Sequence, residues 1–166
     1  MKKIIISGLP RSGSTWQYNI VRIALIHAGY SVYGSWVGDY DFLNKSEYHI
    51  IKTHSLNKNI QEAWKIFTSV REFKGVKESL QRIGWYESDK KIISSYHKWT
   101  ECCIVADYIM SYSDMILNKL SITKNIINIL GLSVCPVKVL NEVKGLNLPQ
   151  VYYDKITLLH HNHFVK

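Results

Sequence analysis

The 166-residue sequence predicts an α/β fold, with a central parallel sheet of about five strands and helices on both faces. Two observations carry that expectation. Short runs rich in β-branched and aromatic residues alternate with longer stretches of helical periodicity. The first run also ends in a Gly-rich turn that opens directly into a helical pattern.

In chain order, strands are expected at Lys3–Ser7, Ser31–Ser35, His49–Thr53, Lys65–Val70 and Ile104–Ser111, each bounded by polar or Gly-containing stretches. A helix is expected over Ser14–Ala28, where Trp16, Ile20, Ile23 and Ala24 share one stripe. A second is expected over Asp89–Cys103, with Ile92, Tyr96, Trp99 and Cys103 at helical spacing and Ser88 as N-cap. Ser121 is the expected cap of a third, which carries Ile122, Ile126, Ile129 and Leu130 and stops at Gly131. Pro136 suits the first turn of a last helix through Val137, Leu140 and Val143.

The composition, 46% hydrophobic and 20% charged with three prolines, is that of one folded domain spanning residues 1–166. No apolar run approaches the roughly 20 residues of a helical membrane span. Lys2 and Lys3 precede an apolar run with no small-residue cleavage pattern, so the N-terminus reads as a first strand and not a signal peptide. The three cysteines, two of them adjacent, favour a reduced cytoplasmic setting over a disulfide framework. A net charge of +8 without a dense basic run argues against nucleic acid and leaves a solvated basic surface or a small polyanionic ligand.

The segment "GLPRSGSTW" (residues 8–16) bears on that choice. Gly8 and Gly13 have the spacing of a phosphate-binding loop and Thr15 is in place, but the usual lysine position holds Ser14. Such a turn points backbone N–H groups and a helix N-terminus at an anion. Ser12, Ser14 and Thr15 add hydroxyl donors, and Arg11 adds a planar charged fork. Without the lysine that bridges the terminal phosphates of a triphosphate, ATP or GTP hydrolysis is disfavoured.

"PRSGSTW" resembles the 5′-phosphosulfate-binding loop of the sulfotransferases, written there Pro-Lys/Arg-Ser-Gly-Thr/Ser-Thr-Trp, with Arg11 at the basic position. Three further stretches are similar, in the family's order. "HIIKTHS" supplies Lys52, Thr53 and His54; "VREFKGVKES" supplies Arg71 and, eight residues on, Ser79; "YSDM" begins at Tyr112 and precedes the helical "KNIINILGL". The resemblance implies a P-loop NTPase-like three-layer fold. It also implies a donor, 3′-phosphoadenosine 5′-phosphosulfate (PAPS), the product adenosine 3′,5′-bisphosphate (PAP), and no required metal. Gly13, Ser14 and Thr15 would then hold the 5′-phosphate, Arg71 and Ser79 the 3′-phosphate, and Trp16 and Tyr112 would lie near the adenine. His54 would be the base, with an imidazole near its ordinary pKa, and Lys52 and Arg11 would stabilise the transferring group. Asp39, Asp41 and Glu47 are the fallback bases. The acceptor would be a small molecule or carbohydrate bearing a hydroxyl or amine.

The chain departs from the family in its length and in lacking both the C-terminal Arg-Lys-Gly segment and the dimerisation motif of cytosolic members. It ends instead in "TLLHHNHFVK", whose His160, His161 and His163 are candidates for the ligand pocket, a metal or a solvated tail. A small-molecule or nucleotide kinase and a non-catalytic nucleotide-binding module remain the alternative readings.

Overall fold

The computed structural model of the chain describes residues 1–55, 62–149 and 153–161. Five strands form one parallel sheet: β1 (Lys2–Ile6), β2 (Val32–Trp36), β3 (Tyr48–Lys52), β4 (Lys65–Val70) and β5 (Tyr108–Ser111). Their spatial order is β2-β3-β1-β4-β5. The central strand β1 is apolar on both faces, as a strand covered on both sides must be. Ile4, Ile5 and Ile6 are all fully buried.

Pairing registers Ile5 with Ile51 of β3 and Ile66 of β4, so these three share one face. Val37, Tyr40, Ala63 and Ala106 of the connecting segments pack over them. The opposite face carries Ile4, Ile6, Ile50 and Phe67. It is covered by α1 (Ser14–His27), α5 (Lys119–Ile129) and α6 (Pro136–Lys144), which also pack on one another. Beside β4, α2 (Phe73–Arg82) and α3 (Asp89–Val105) enclose a smaller cluster of Val76, Leu80 and Ile92.

Several expected boundaries need correction. Ile104 and Val105 complete α3 instead of opening β5, and Ile104 is left exposed, so strand propensity lost to helix continuation. The third expected helix, α5, begins at Lys119 with Asn118, not Ser121, at its N-cap. Two helices fall outside the sequence expectation: α2, and α4 (Tyr112–Leu117), whose N-cap Ser111 accepts from the Asp114 N–H. Ser88 caps α3 and Pro136 opens α6 as expected.

Helix α1 also anchors the last described segment. The Tyr18 hydroxyl donates to the Ile156 carbonyl at 3.0 Å, and Asn19 Nδ2 donates to the Thr157 carbonyl at 2.7 Å. Leu158 and Leu159 are buried beside these contacts. Gly34 of β2 makes room for the tyrosine, because a Cβ there would stand 2.0 Å from the Tyr18 hydroxyl.

Gly34→Ala should therefore cost about 1–3 kcal/mol through overpacking, and Tyr18→Phe about 1 kcal/mol through the lost hydrogen bond. Denaturant titrations of both single variants and the double variant should show coupling. The alanine should cost less once the hydroxyl is gone. Strict additivity would mean that the alanine is accommodated by a shift of β2.

Candidate active site

In the sheet order, the chain moves from β1 to one side for β2 and β3 and then to the other for β4 and β5. Parallel sheets bind ligands beyond the carboxyl ends of the strands at such a reversal. A cleft of about 630 Å³ lies there, lined by residues that follow β1, β3 and β4. Of the sequence-predicted residues, Arg11, Gly13, Ser14, Thr15, Trp16, Lys52, His54, Arg71, Ser79 and Tyr112 all line it.

The β1–α1 loop takes its shape from two left-handed residues, Arg11 (φ +63°) and Gly13 (φ +89°), the second forming the N-cap of α1. The first turn of α1 carries no acidic residue to compete for its free N–H groups. Ser12 departs from expectation. Its hydroxyl is fully buried, donates to the Leu9 carbonyl at 2.6 Å and lies 2.7 Å from Ser69 Oγ, so it braces the loop against β4 instead of facing the cleft.

Lys52 ends β3 with its ammonium 5.1 Å from the Trp36 ring centroid, and is almost wholly buried. Burial, and then the charge of Arg11, push its pKa down to about 8. Two residues on, His54 Nδ1 stands 2.7 Å from the Gly8 carbonyl, and Trp36 packs edge-on against the imidazole at 5.0 Å. A carbonyl only accepts, so Nδ1 carries the proton and Nε2 is left with its lone pair, the tautomer a base requires. The expectation of an imidazole near its ordinary pKa is overturned. Burial and the neighbouring Lys52 charge bring it down to about 3, against a smaller opposing effect of the Gly8 carbonyl. The ring is neutral at every physiological pH.

Across the cleft, Arg11 Nε donates to Ser79 Oγ at 3.0 Å. The Arg71 guanidinium stacks 3.9 Å from the Tyr112 ring centroid, and its Nη1 donates to the Arg11 carbonyl at 3.3 Å. Burial and the charges of Arg82 and Arg71 hold Arg11 below the usual arginine range, with Tyr112 opposing. Trp16 is half-buried, touching both the cleft and the core cluster.

The fallback bases separate. Asp39 lines the cleft, whereas the Glu47 carboxylate binds the Ser31 N–H and hydroxyl and Asp41 accepts from the Leu43 N–H, both on exposed surface. His160 lines the cleft, edge-on to Trp85 and stacked on the exposed His161. His163 lies outside the described residues. Arg82, Trp36, Trp85 and Tyr153 also line the cleft and were not singled out from sequence. Arg82 was detectable in principle, one helical turn after Ser79. Among the described residues, no group of three or more His, Cys, Asp or Glu is placed to hold a metal ion, and no helix is long and apolar enough to cross a membrane.

No protein-family model and no curated protein matches the chain. Solved structures do. Mouse sulfotransferase SULT7A1 complexed with PAP superimposes with a TM-score of 0.70 and 16% identity, over 99% of this chain and 75% of that one. Retinol dehydratase gives TM-scores of 0.57 in its complex with retinol and PAP and 0.61 with androsterone and PAP. Identities there are 10% and 13%, over 89% of this chain and 65% of the other. The chain has the P-loop NTPase-like α/β fold of the sulfotransferases. It spans three quarters of the length of the first neighbour and just under two thirds of the other.

The depressed pKa of Lys52 makes a stability prediction. Between pH 8 and the unfolded value of 10.5, the unfolded chain holds a proton at this site that the folded chain has lost. Stability should therefore rise with pH across that window, by up to about 3 kcal/mol from this residue. Lys52→Met should remove that increment and be the more stable protein at pH 7. Urea titrations of both proteins at pH 7 and 10 check this, and an equal pH response in the two would show Lys52 to titrate normally.

Proposed function

We propose that the protein is a sulfotransferase that moves a sulfuryl group from PAPS to a hydroxyl or amine of a small-molecule or carbohydrate acceptor. One observation carries the reading. The Gly8–Thr15 loop, the Lys52–His54 strand end and the Arg71–Ser79 pair, far apart in sequence, line a single cleft at the carboxyl edge of a sulfotransferase fold. The solved neighbours hold PAP, which supports a PAPS-type donor here. Ser14 at the usual lysine position favours this reading over a kinase. Three free cysteines suit a reducing, cytoplasmic setting.

In this mechanism the start of α1 holds the 5′-phosphate through backbone N–H groups and the Ser14 and Thr15 hydroxyls. The acceptor oxygen attacks sulfur as the bond from sulfur to the bridging phosphate oxygen breaks. The acceptor proton passes to His54 Nε2, and PAP leaves with the bonding electrons on its 5′-phosphate. Lys52 and Arg11 stabilise that charge where it develops. The low basicity of His54 comes first from burial and then from the Lys52 charge. The donor's sulfonate and phosphate would offset that ammonium and so relieve its share of the depression, leaving the share due to burial.

PAP should bind at least tenfold more tightly than AMP, without dependence on Mg²⁺, and should raise the melting temperature by mass action. Calorimetry with both nucleotides, with and without chelator, checks this. Equal affinities would remove the 3′-phosphate site, and an absolute Mg²⁺ requirement would favour the kinase.

His54→Asn keeps an N–H for the Gly8 carbonyl but supplies no base. PAP affinity should stay within a few-fold of wild type while PAPS turnover falls by about 10²–10⁴-fold. In the wild type, kcat/KM should show no titration near pH 6.5, because the free enzyme's imidazole titrates far lower, and it should decline above about pH 8 as Lys52 loses its charge. An acid limb centred near 6.5 that disappears in His54→Asn would show the imidazole to titrate at its ordinary value, and one that persists in the variant would assign the base elsewhere.

A further inference from the structure

Ser79, on α2, receives a second guanidinium besides that of Arg11. Arg82 Nη2 stands 3.4 Å from the same Oγ. Residues three apart on a helix share a face, so Arg82 reaches the cleft from the turn after Ser79. Arg71, which donates to the Arg11 carbonyl, lines the same cleft, so three guanidinium groups share it.

Such crowding is unfavourable by itself. Arg11 is held below its ordinary range partly by the charges of Arg82 and Arg71. Protein carboxylates do little to relieve it. Asp39 is the one carboxylate among the described residues lining the cleft. The nearest ion-pair contact of Arg71 is Glu72 at 3.7 Å, a mostly exposed side chain, and Arg71 Nε is buried without a hydrogen bond. Among the described residues, no carboxylate forms an ion pair with Arg82. A cation in the last turn of α2 also suits the negative end of the helix dipole. That role does not require the guanidinium to lie against Ser79 inside the cleft.

We propose that Arg82 is a ligand of the donor's 3′-phosphate, closing a cradle formed with Arg71 and Ser79. The inference rests on the reading of the cleft as a PAPS site. Arg11 and Arg82 flank the Ser79 hydroxyl and Arg71 lines the same cleft, and this many positive charges favour a terminal, dianionic phosphate over a hydroxyl or a singly charged diester. Arg82 thereby sets the preference for a 3′-phosphorylated nucleotide over its unphosphorylated counterpart.

Calorimetric titration of PAP and AMP into wild type, Arg82→Met and Arg82→Lys tests this, with melting of each free protein. Arg82→Met should lose about ten- to a hundredfold in PAP affinity, while AMP affinity stays within about twofold. Arg82→Lys should fall between, because a point charge replaces a fork. The free Arg82→Met protein should melt at or above the wild-type temperature, since a repulsion is relieved, whereas a purely structural arginine would lower it. An unchanged PAP-to-AMP ratio in both variants, or an equal loss for both nucleotides, overturns the assignment of Arg82 and leaves the donor site standing. A wild type that does not prefer PAP to AMP overturns the donor reading, and this inference with it.

Discussion

One buried hydroxyl holds the β1–α1 loop in shape. Ser12 Oγ joins the Leu9 carbonyl to Ser69 of β4. The approach is close enough that a Cβ on Gly8 would stand 2.2 Å from Ser69 Oγ. From that brace follow the three features on which the cleft depends. Arg11 is turned into a left-handed conformation and aimed at Ser79, Gly13 starts α1 with its N-terminus facing the cleft, and the Gly8 carbonyl is presented to His54. A phosphate loop with a lysine can rely on that side chain to meet its ligand. In the proposed function the backbone and strand-end groups take that part, and the brace fixes the loop that presents them.

The same region concentrates positive charge in a poorly solvated place. Lys52 and Arg11 each depress the proton affinity of a neighbour. Both are themselves held below their usual ranges, Lys52 by burial and the Arg11 charge, Arg11 by burial and the charges of Arg82 and Arg71. Such crowding is destabilising and is compensated by the core, where three consecutive isoleucines of β1 are fully buried.

The sheet and the strand-end residues were legible because each depends on local pattern. β1, β3 and β4 are apolar runs, and Lys52, His54 and Arg71 fall where those runs stop. What was not legible depends on distant partners. The inward turn of Ser12 is decided by Ser69, and the suppression of His54 basicity by a burial that no local window contains. Arg82 was missed together with its helix, although Phe73, Val76 and Leu80 recur at helical spacing and carried the signal for α2. Without α2, the spacing from Ser79 to Arg82 has no geometric meaning. Trp36 and Trp85 read equally well as core residues until the cleft is seen.

Helix α1 contributes to the cleft twice. Its first turn supplies the cleft-lining residues Ser14 and Thr15, and one turn later Tyr18 and Asn19 carry the 153–161 segment, with Leu158, Leu159 and His160 at the cleft wall. Floor and wall are thus mounted on one rigid beam. Any displacement of α1 carries floor and wall by the same vector, so the spacing between them is held fixed while the strand-end residues on the far side stay with the sheet.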